Sequence, residues 1–191
     1  MKKLLAILLA LAMVLTLGAC GSDKKDKDDK EDKGDKKGGS GYEQALDMAL
    51  EYFFHNETKN VKKLIPEFMM EAWAEEEGMA LDETYDYLIM EAEDNQTFHE
   101  DYGIEVEYTI EETEKLDADD LEELLEDVAD VYAEYLSMDD FGDEGYYAYV
   151  TSEVYEEGEL IEEGDYDVCM IQIDGGWYAV SDYGTFLVFG Y

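Results

Sequence analysis

The chain has 191 residues, of which 52 are acidic and 13 are lysine, with no arginine and a formal net charge of −39. A surface this acidic repels phosphate backbones and anionic lipid headgroups, and without arginine the bidentate recognition of phosphate is lost, so nucleic acid is excluded as a partner. Hydrophobic residues make up 46% and aromatic residues 13%, too apolar a composition for a disordered chain and enough for the core of one domain.

The first segment is Met1-Lys2-Lys3 followed by an almost purely apolar run from Leu4 to Leu17. That run is short of the ~20 residues a membrane span needs, and a positive start before a short apolar stretch is the anatomy of an export signal. It ends Leu17-Gly18-Ala19-Cys20, which resembles the lipobox of bacterial lipoproteins. The resemblance implies cleavage after residue 19 and a diacylglyceryl group on the Cys20 thiol, so that the protein is held on the extracytoplasmic face of the cell membrane. Residues 20–41 then form a tether. Seven lysines alternate with seven acids between Asp23 and Lys37, with no apolar residue, and Gly38-Gly39-Ser40-Gly41 follows. Such a segment buries nothing to offset the entropy of ordering, and about twenty residues of it span roughly 25 Å on average.

Residues 42–191 read as one acidic domain. It holds 45 acids against Lys59, Lys62, Lys63 and Lys115, a net charge of −41. Tyr42 to His55 has a helical stripe of Ala45, Leu46, Ala49, Tyr52 and Phe53. A short helix is expected from Lys59 to Ile65 before Pro66, another from Glu67 to Glu76 closed by Gly78, and a third from Glu83 to about Ala92 with Asp82 as N-cap. Ile104 to Ile110 alternates as a half-buried strand. Asp117 opens the clearest helix, whose stripe runs Leu121, Leu124, Leu125, Val128, Val131, Tyr132 and Tyr135, with Leu116 and Leu121 placed to staple its start. After a break at Phe141-Gly142, strands are expected over Tyr146–Tyr155, Tyr166–Ile173 and Trp177–Ser181, the last two joined by a tight Asp174-Gly175-Gly176 turn, with an edge strand at Phe186 to Phe189.

Helices followed by an antiparallel meander give the α+β class. The first helix with Tyr52-Phe53, the helical segment after it and the closing Ile171-Gln-Ile-Asp-Gly-Gly-Trp-Tyr-Ala-Val180 resemble the NTF2-like (cystatin-like cone) superfamily. The resemblance implies N-terminal helices packed on a curved antiparallel sheet that often leaves a pocket. The long helix between the first and second strands departs from its simplest pattern.

Candidate chemistry is sparse. His55 ends a helix and His99 falls in a polar loop segment, and neither has metal-ligand spacing. No nucleophile elbow, phosphate loop or dinucleotide fingerprint is present, so no catalytic residue, metal or cofactor is assigned. The Asp139–Glu144 loop misses the EF-hand template and is at most a weak calcium ligand. Cys169, between Val168 and Met170, reads as a small packed hydrophobe. Tyrosine is the informative residue. Tyr108, Tyr149 and Tyr166 are the candidate ligand-binding side chains, on strands that could wall a pocket beside the first helix, and their rings and hydroxyls suit a cell-wall glycan or a cationic peptide. The expected function is therefore a membrane-anchored lipoprotein that binds a ligand or serves as a scaffold at the cell surface. The alternative is a small NTF2-like enzyme with an acid or base in its pocket.

Overall fold

A computed structural model describes residues 41–189. Cys20, the signal-like segment and the tether as far as Ser40 lie outside these residues, whereas Gly41, read as the tether's last residue, already belongs to the first helix. Four helices, α1 (Gly41–His55), α2 (Glu67–Glu77), α3 (Leu81–Tyr102) and α4 (Ala118–Val131), accompany four strands, β1 (Ile104–Lys115), β2 (Phe141–Glu156), β3 (Glu159–Ile173) and β4 (Gly176–Ser181). The strands form one antiparallel sheet in the order β1-β2-β3-β4, with α4 inserted between the first two. The α+β class and the helix between the first and second strands are as read from the sequence.

The sheet is covered on both faces at one end. The first face takes α1: Tyr42 stacks on Tyr146 with centroids 3.7 Å apart, and Trp177 meets Tyr42 edge-on at 5.9 Å. Leu46, Leu50 and Ala49 of α1 are buried there, with Ala148 and Val150 of β2. The opposite face takes α4. A side chain on Gly145 would start 2.6 Å from Leu121 Cδ1 and 3.1 Å from Leu116 Cδ1, so the glycine makes room for the stapled start of α4. Successive side chains of a strand point to opposite faces. Val168 and Met170 of β3 therefore turn toward α1, and Cys169 and Ile171 toward α4, and all four are buried. The Cys169 thiol is free, and its pKa is pushed up to about 12, by burial first and then by Asp182 and Asp167. It packs as a hydrophobe. Outside this sandwich, α2 and α3 lie against each other, and the Tyr52 hydroxyl links α1 to the Leu88 carbonyl of α3 at 3.5 Å.

Local chemistry explains the element ends. Asp117 caps α4 by accepting from the Asp119 and Asp120 amides at 2.9 and 3.0 Å. Gly78 and Gly103 close α2 and α3 in the left-handed conformation. Asp174 and Gly175 both have positive φ, which gives the two-residue turn that joins Ile173 to Gly176. Glu157-Gly158 makes the same turn at the far end of β2 and β3.

Several expectations need correction. The helix expected from Glu83 starts at Leu81, because Glu83 accepts the Ala80 amide at 2.9 Å; Asp82 sits in its first turn and pairs with Lys62 instead. It also continues past Ala92 to Tyr102, which places His99 on a helix and not in a loop. The α4 helix stops at Val131, which is exposed, and Tyr132 and Tyr135 follow it in a turn. Phe186–Phe189 is no strand: a single bridge joins Phe186 to Val180, and Leu187–Phe189 is a 3-10 turn. The second short helix is likewise 3-10, Thr58–Lys63. Strands β1, β2 and β3 are longer than their apolar stretches, and their far halves form an extension with exposed Leu160 and Ile161 near the turn. Among the described residues no strand follows on the other side of β1 from β2, so β1 is an edge there, and its Glu105, Glu107, Glu111, Glu112 and Glu114 are all exposed.

Gly184 tests the packing of the last turn on α4. It has φ +75, and a Cβ there would lie 2.8 Å from the Val128 amide nitrogen; Gly158 has φ +81 but nothing within 4 Å. Gly158→Ala should cost about 1 kcal/mol, the strain of a left-handed alanine, and Gly184→Ala about 2–4 kcal/mol because backbone must also move. Urea denaturation of the two variants measures the difference; equal losses would mean that the turn does not press on α4.

Candidate functional site

The C-terminal end of α1 delivers Glu51, Phe53, Phe54 and His55 to the strand face of β1 and β3. Glu51 and His55 are four residues apart and so share one side of the helix. The Glu51 carboxylate accepts from the Tyr108 hydroxyl at 2.9 Å and lies 3.0 Å from His55 Nδ1. His55 Nε2 donates to the Val106 carbonyl at 2.9 Å. Both ring nitrogens thus face acceptors, an arrangement that suits the imidazolium. Burial alone would lower the His55 pKa, but the bonds to Glu51 and Val106 and the Glu51 charge outweigh it, and the net shift is upward. The Glu51 pKa is lowered, chiefly by its bond to His55. Burial, then the bond to Glu51, raises the Tyr108 pKa well above the usual phenol range.

Tyr108 and Tyr166 come together as expected from their strands. Phe54 stacks on Tyr108 at 5.1 Å and meets Tyr166 edge-on at 5.2 Å, and Phe53 meets Tyr166 at 5.6 Å. These four rings fill the space between α1 and the sheet where a pocket was expected. Tyr149 does not join them. Its neighbours Ala148 and Val150 point to α1, so Tyr149 points away, and its hydroxyl bonds Asp165 on the other face. Tyr147 does the same with Asp167, and the Tyr155 hydroxyl donates to Glu153 at 2.7 Å. That face is a ladder of tyrosine–carboxylate pairs.

An open cleft of about 490 Å³ lies at the rim of the filled space. Phe54, Ile104 and Val106 give it an apolar floor, and His55, Gln96, His99 and Glu105 are polar side chains around it. The two histidines, 44 positions apart in the chain, meet here because α3 runs ten residues beyond its last apolar stripe residue, Ala92. The His99 pKa is lowered, by burial first and then by the His55 charge. Sequence reasoning missed the cleft. The Glu51/His55 spacing was a visible signal for one part of it, whereas His99 was not legible as helical. A second groove of about 350 Å³ beside Trp177 and Tyr178 holds Lys62 and Lys63, but Lys62 is tied to Asp82.

The Asp139–Glu144 segment is not the loop expected but a 3-10 turn, Met138–Asp140, that runs into β2, and two of its carboxylates have partners inside the fold: Asp140 accepts from the Ser137 amide and hydroxyl at 2.8 and 2.9 Å, and Glu144 pairs with Lys115. Among the described residues no group of three His, Cys, Asp or Glu side chains is placed to hold a metal ion, and no helix is long and apolar enough to cross a membrane. Comparison with known protein families, curated proteins and solved structures finds no match.

The Glu51–His55 link makes stability depend on pH with a definite sign. The raised His55 pKa contributes stability that is full below the ordinary value of 6.5 and is lost as pH rises through the raised one. The lowered Glu51 pKa contributes stability that is full above the ordinary 4.5 and is lost as pH falls through the lowered one. His55→Ala should therefore lower the melting temperature more at about pH 6 than at about pH 9. An equal drop at both would show that His55 acts by packing alone.

Proposed function

We propose that the protein is an extracytoplasmic lipoprotein, anchored in the cell membrane through acyl chains on Cys20, whose NTF2-like domain binds a neutral or cationic small ligand in the cleft between α1, α3 and β1. The cleft carries this reading. Its size falls in the range of small-molecule sites, about 300–1,000 Å³, and it combines an apolar floor with a few convergent polar groups. Gln96 and His99 can each donate or accept, while Glu105 and the field of the whole domain favour cations and reject anions. Sugar fragments and lysine-bearing peptides of the cell wall fit these requirements. Tyr108 and Tyr166 then act as the wall behind Phe54 and not as direct contacts.

A second reading, an enzyme with a pocket acid or base, is favoured by one observation: the Glu51 carboxylate stands between the Tyr108 hydroxyl and the His55 ring. It ranks second because Glu51 and Val106 occupy both ring nitrogens of His55, so neither is available to a substrate. The same bonds fasten the end of α1 to β1, which is reason enough for the residues to be there.

Two experiments test the proposal. Cys20→Ala should leave the protein unprocessed or released into the medium when cells are fractionated, since stable anchoring requires acyl chains that each contribute ~0.8 kcal/mol per buried methylene. Normal maturation and continued membrane association of that variant would remove the anchor. For the cleft, soluble peptidoglycan fragments and trilysine should raise the melting temperature of the full chain in detergent, and Gln96→Ala/His99→Ala should abolish the rise. A rise that survives the double variant places binding elsewhere, and no rise with either probe leaves a scaffold.

A further inference from the structure

The end of α3 carries two large rings that the core does not use. Segment 93–98 is exposed and polar until it reaches Phe98, and Tyr102 follows four residues later. Phe98 is 48% exposed and Tyr102 56%, and neither belongs to the core or to the partly buried side chains packed on it. The rings lie against each other, with centroids 4.6 Å apart and planes 38° from parallel. A pair at this spacing steadies a helix slightly, but a glutamate–lysine pair would do the same without placing apolar rings in water.

The pair borders the cleft. At 3.6 residues per turn, His99 lies roughly 60° around α3 from Tyr102, and Gly103 and Gln96 follow on the same side. The Phe98 and His99 ring centroids are 6.3 Å apart. His99 is thus a ridge with the cleft on one side and the two rings on the other. Its lowered pKa keeps the imidazole neutral at about pH 7, so the ridge does not repel a cation. Beyond the rings, Asp94 and Asp101 are exposed neighbours of Phe98 on the helix surface, four residues before it and three after. The ion pairs among the described residues are those of His55, Lys62 and Lys115, and none involves Asp94 or Asp101. Cleft, ridge and rings therefore form one track that ends in two π-faces flanked by carboxylates. Anions are repelled there, and a sugar would use the rings but not the charges. An aliphatic stem ending in an ammonium or guanidinium uses both, with its methylenes along the rings and its charge at the π-face and the carboxylates. Alternate side chains of an extended peptide are about 6.6–6.8 Å apart, close to the step across the ridge.

We propose that the site extends from the cleft over His99 onto the Phe98–Tyr102 pair, and that its ligand is an extended cationic peptide. One side chain enters the cleft, and a lysine or arginine two positions away lies over the two rings. This rests on the cleft being a binding site and names which class of ligand it takes.

The test uses the full chain in detergent and calorimetric titration with trilysine, with trilysine acetylated on its side-chain amines, and with chitotriose as a neutral glycan. Phe98→Ala/Tyr102→Ala should weaken trilysine binding by roughly tenfold and leave the melting temperature of the free protein nearly unchanged, because both rings are exposed. Phe98→Leu/Tyr102→Leu keeps the apolar bulk without the π-face and should weaken it to about the same extent. Tyr183→Ala, at a 74% exposed ring beside α4, should change affinity by less than about twofold. Acetylated trilysine should bind at least about tenfold more weakly than trilysine. Undiminished trilysine binding by either ring variant overturns the extension onto the rings. If Gln96→Ala/His99→Ala still abolishes that binding, the cleft stands without the rings. Equal binding of the acetylated peptide, or chitotriose binding in the cleft without trilysine, overturns the cationic ligand and leaves the cleft. No binding of trilysine or chitotriose removes both.

Discussion

The structure depends on burying both faces of one short run, Val168-Cys-Met-Ile-Gln-Ile173, in β3. Five of these six residues are buried, so no single layer could satisfy them. One face is met by α1, which lies early in the chain. The other is met by α4, and α4 can reach it because it interrupts the meander between β1 and β2. Each fully buried aliphatic side chain contributes about 1.5–3 kcal/mol. That burial must outweigh the mutual repulsion of the many carboxylates that the core excludes; among the described residues the buried polar side chains are Thr84, Ser152 and Ser181, none of them charged.

The same arrangement divides the sheet into two regimes. Near α1 and α4 it is an interior, and aromatic rings settle its details. Beyond them β1, β2 and β3 run on as a two-faced extension whose side chains are mostly carboxylates, threonines and tyrosines. Tyrosine serves both regimes because it has an apolar ring and a polar tip. Tyr166 uses its ring against Phe53 and Phe54, Tyr108 uses its ring against Phe54 and its hydroxyl against Glu51, and Tyr147 uses its hydroxyl against Asp167.

Where the sequence was legible, periodicity and end signals agreed. α4 combines a capping Asp117, a staple and an apolar stripe, and its start and the buried Leu121, Leu124, Leu125 and Val128 were read correctly, whereas the stripe was carried too far, onto the exposed Val131 and the turn after it. The Asp174-Gly175 turn was legible because only a few residue pairs suit two positive φ values. Legibility failed where burial stops. The segment 93–98 is exposed along its length, so its helicity leaves no apolar period, and with it went the location of His99. The far half of β3 is exposed and was missed for the same reason. The side to which Tyr149 points was a different kind of failure. Alternation within a strand relates Tyr149 only to its own neighbours; relating it to Tyr108 requires the β1–β2 register, which is set by packing across a helical crossover and shifted by a bulge between Ile110 and Glu112.

The free edge of β1 has a consequence for crowding. An unpaired strand edge is a template for another chain, and the more concentrated the chains the more often such edges meet. Here any two copies that approach edge to edge bring Glu105, Glu107, Glu112 and Glu114 of one against the same residues of the other. The strand can therefore stay long and open, since copies that approach side by side repel one another as the bristles of a like-charged brush do.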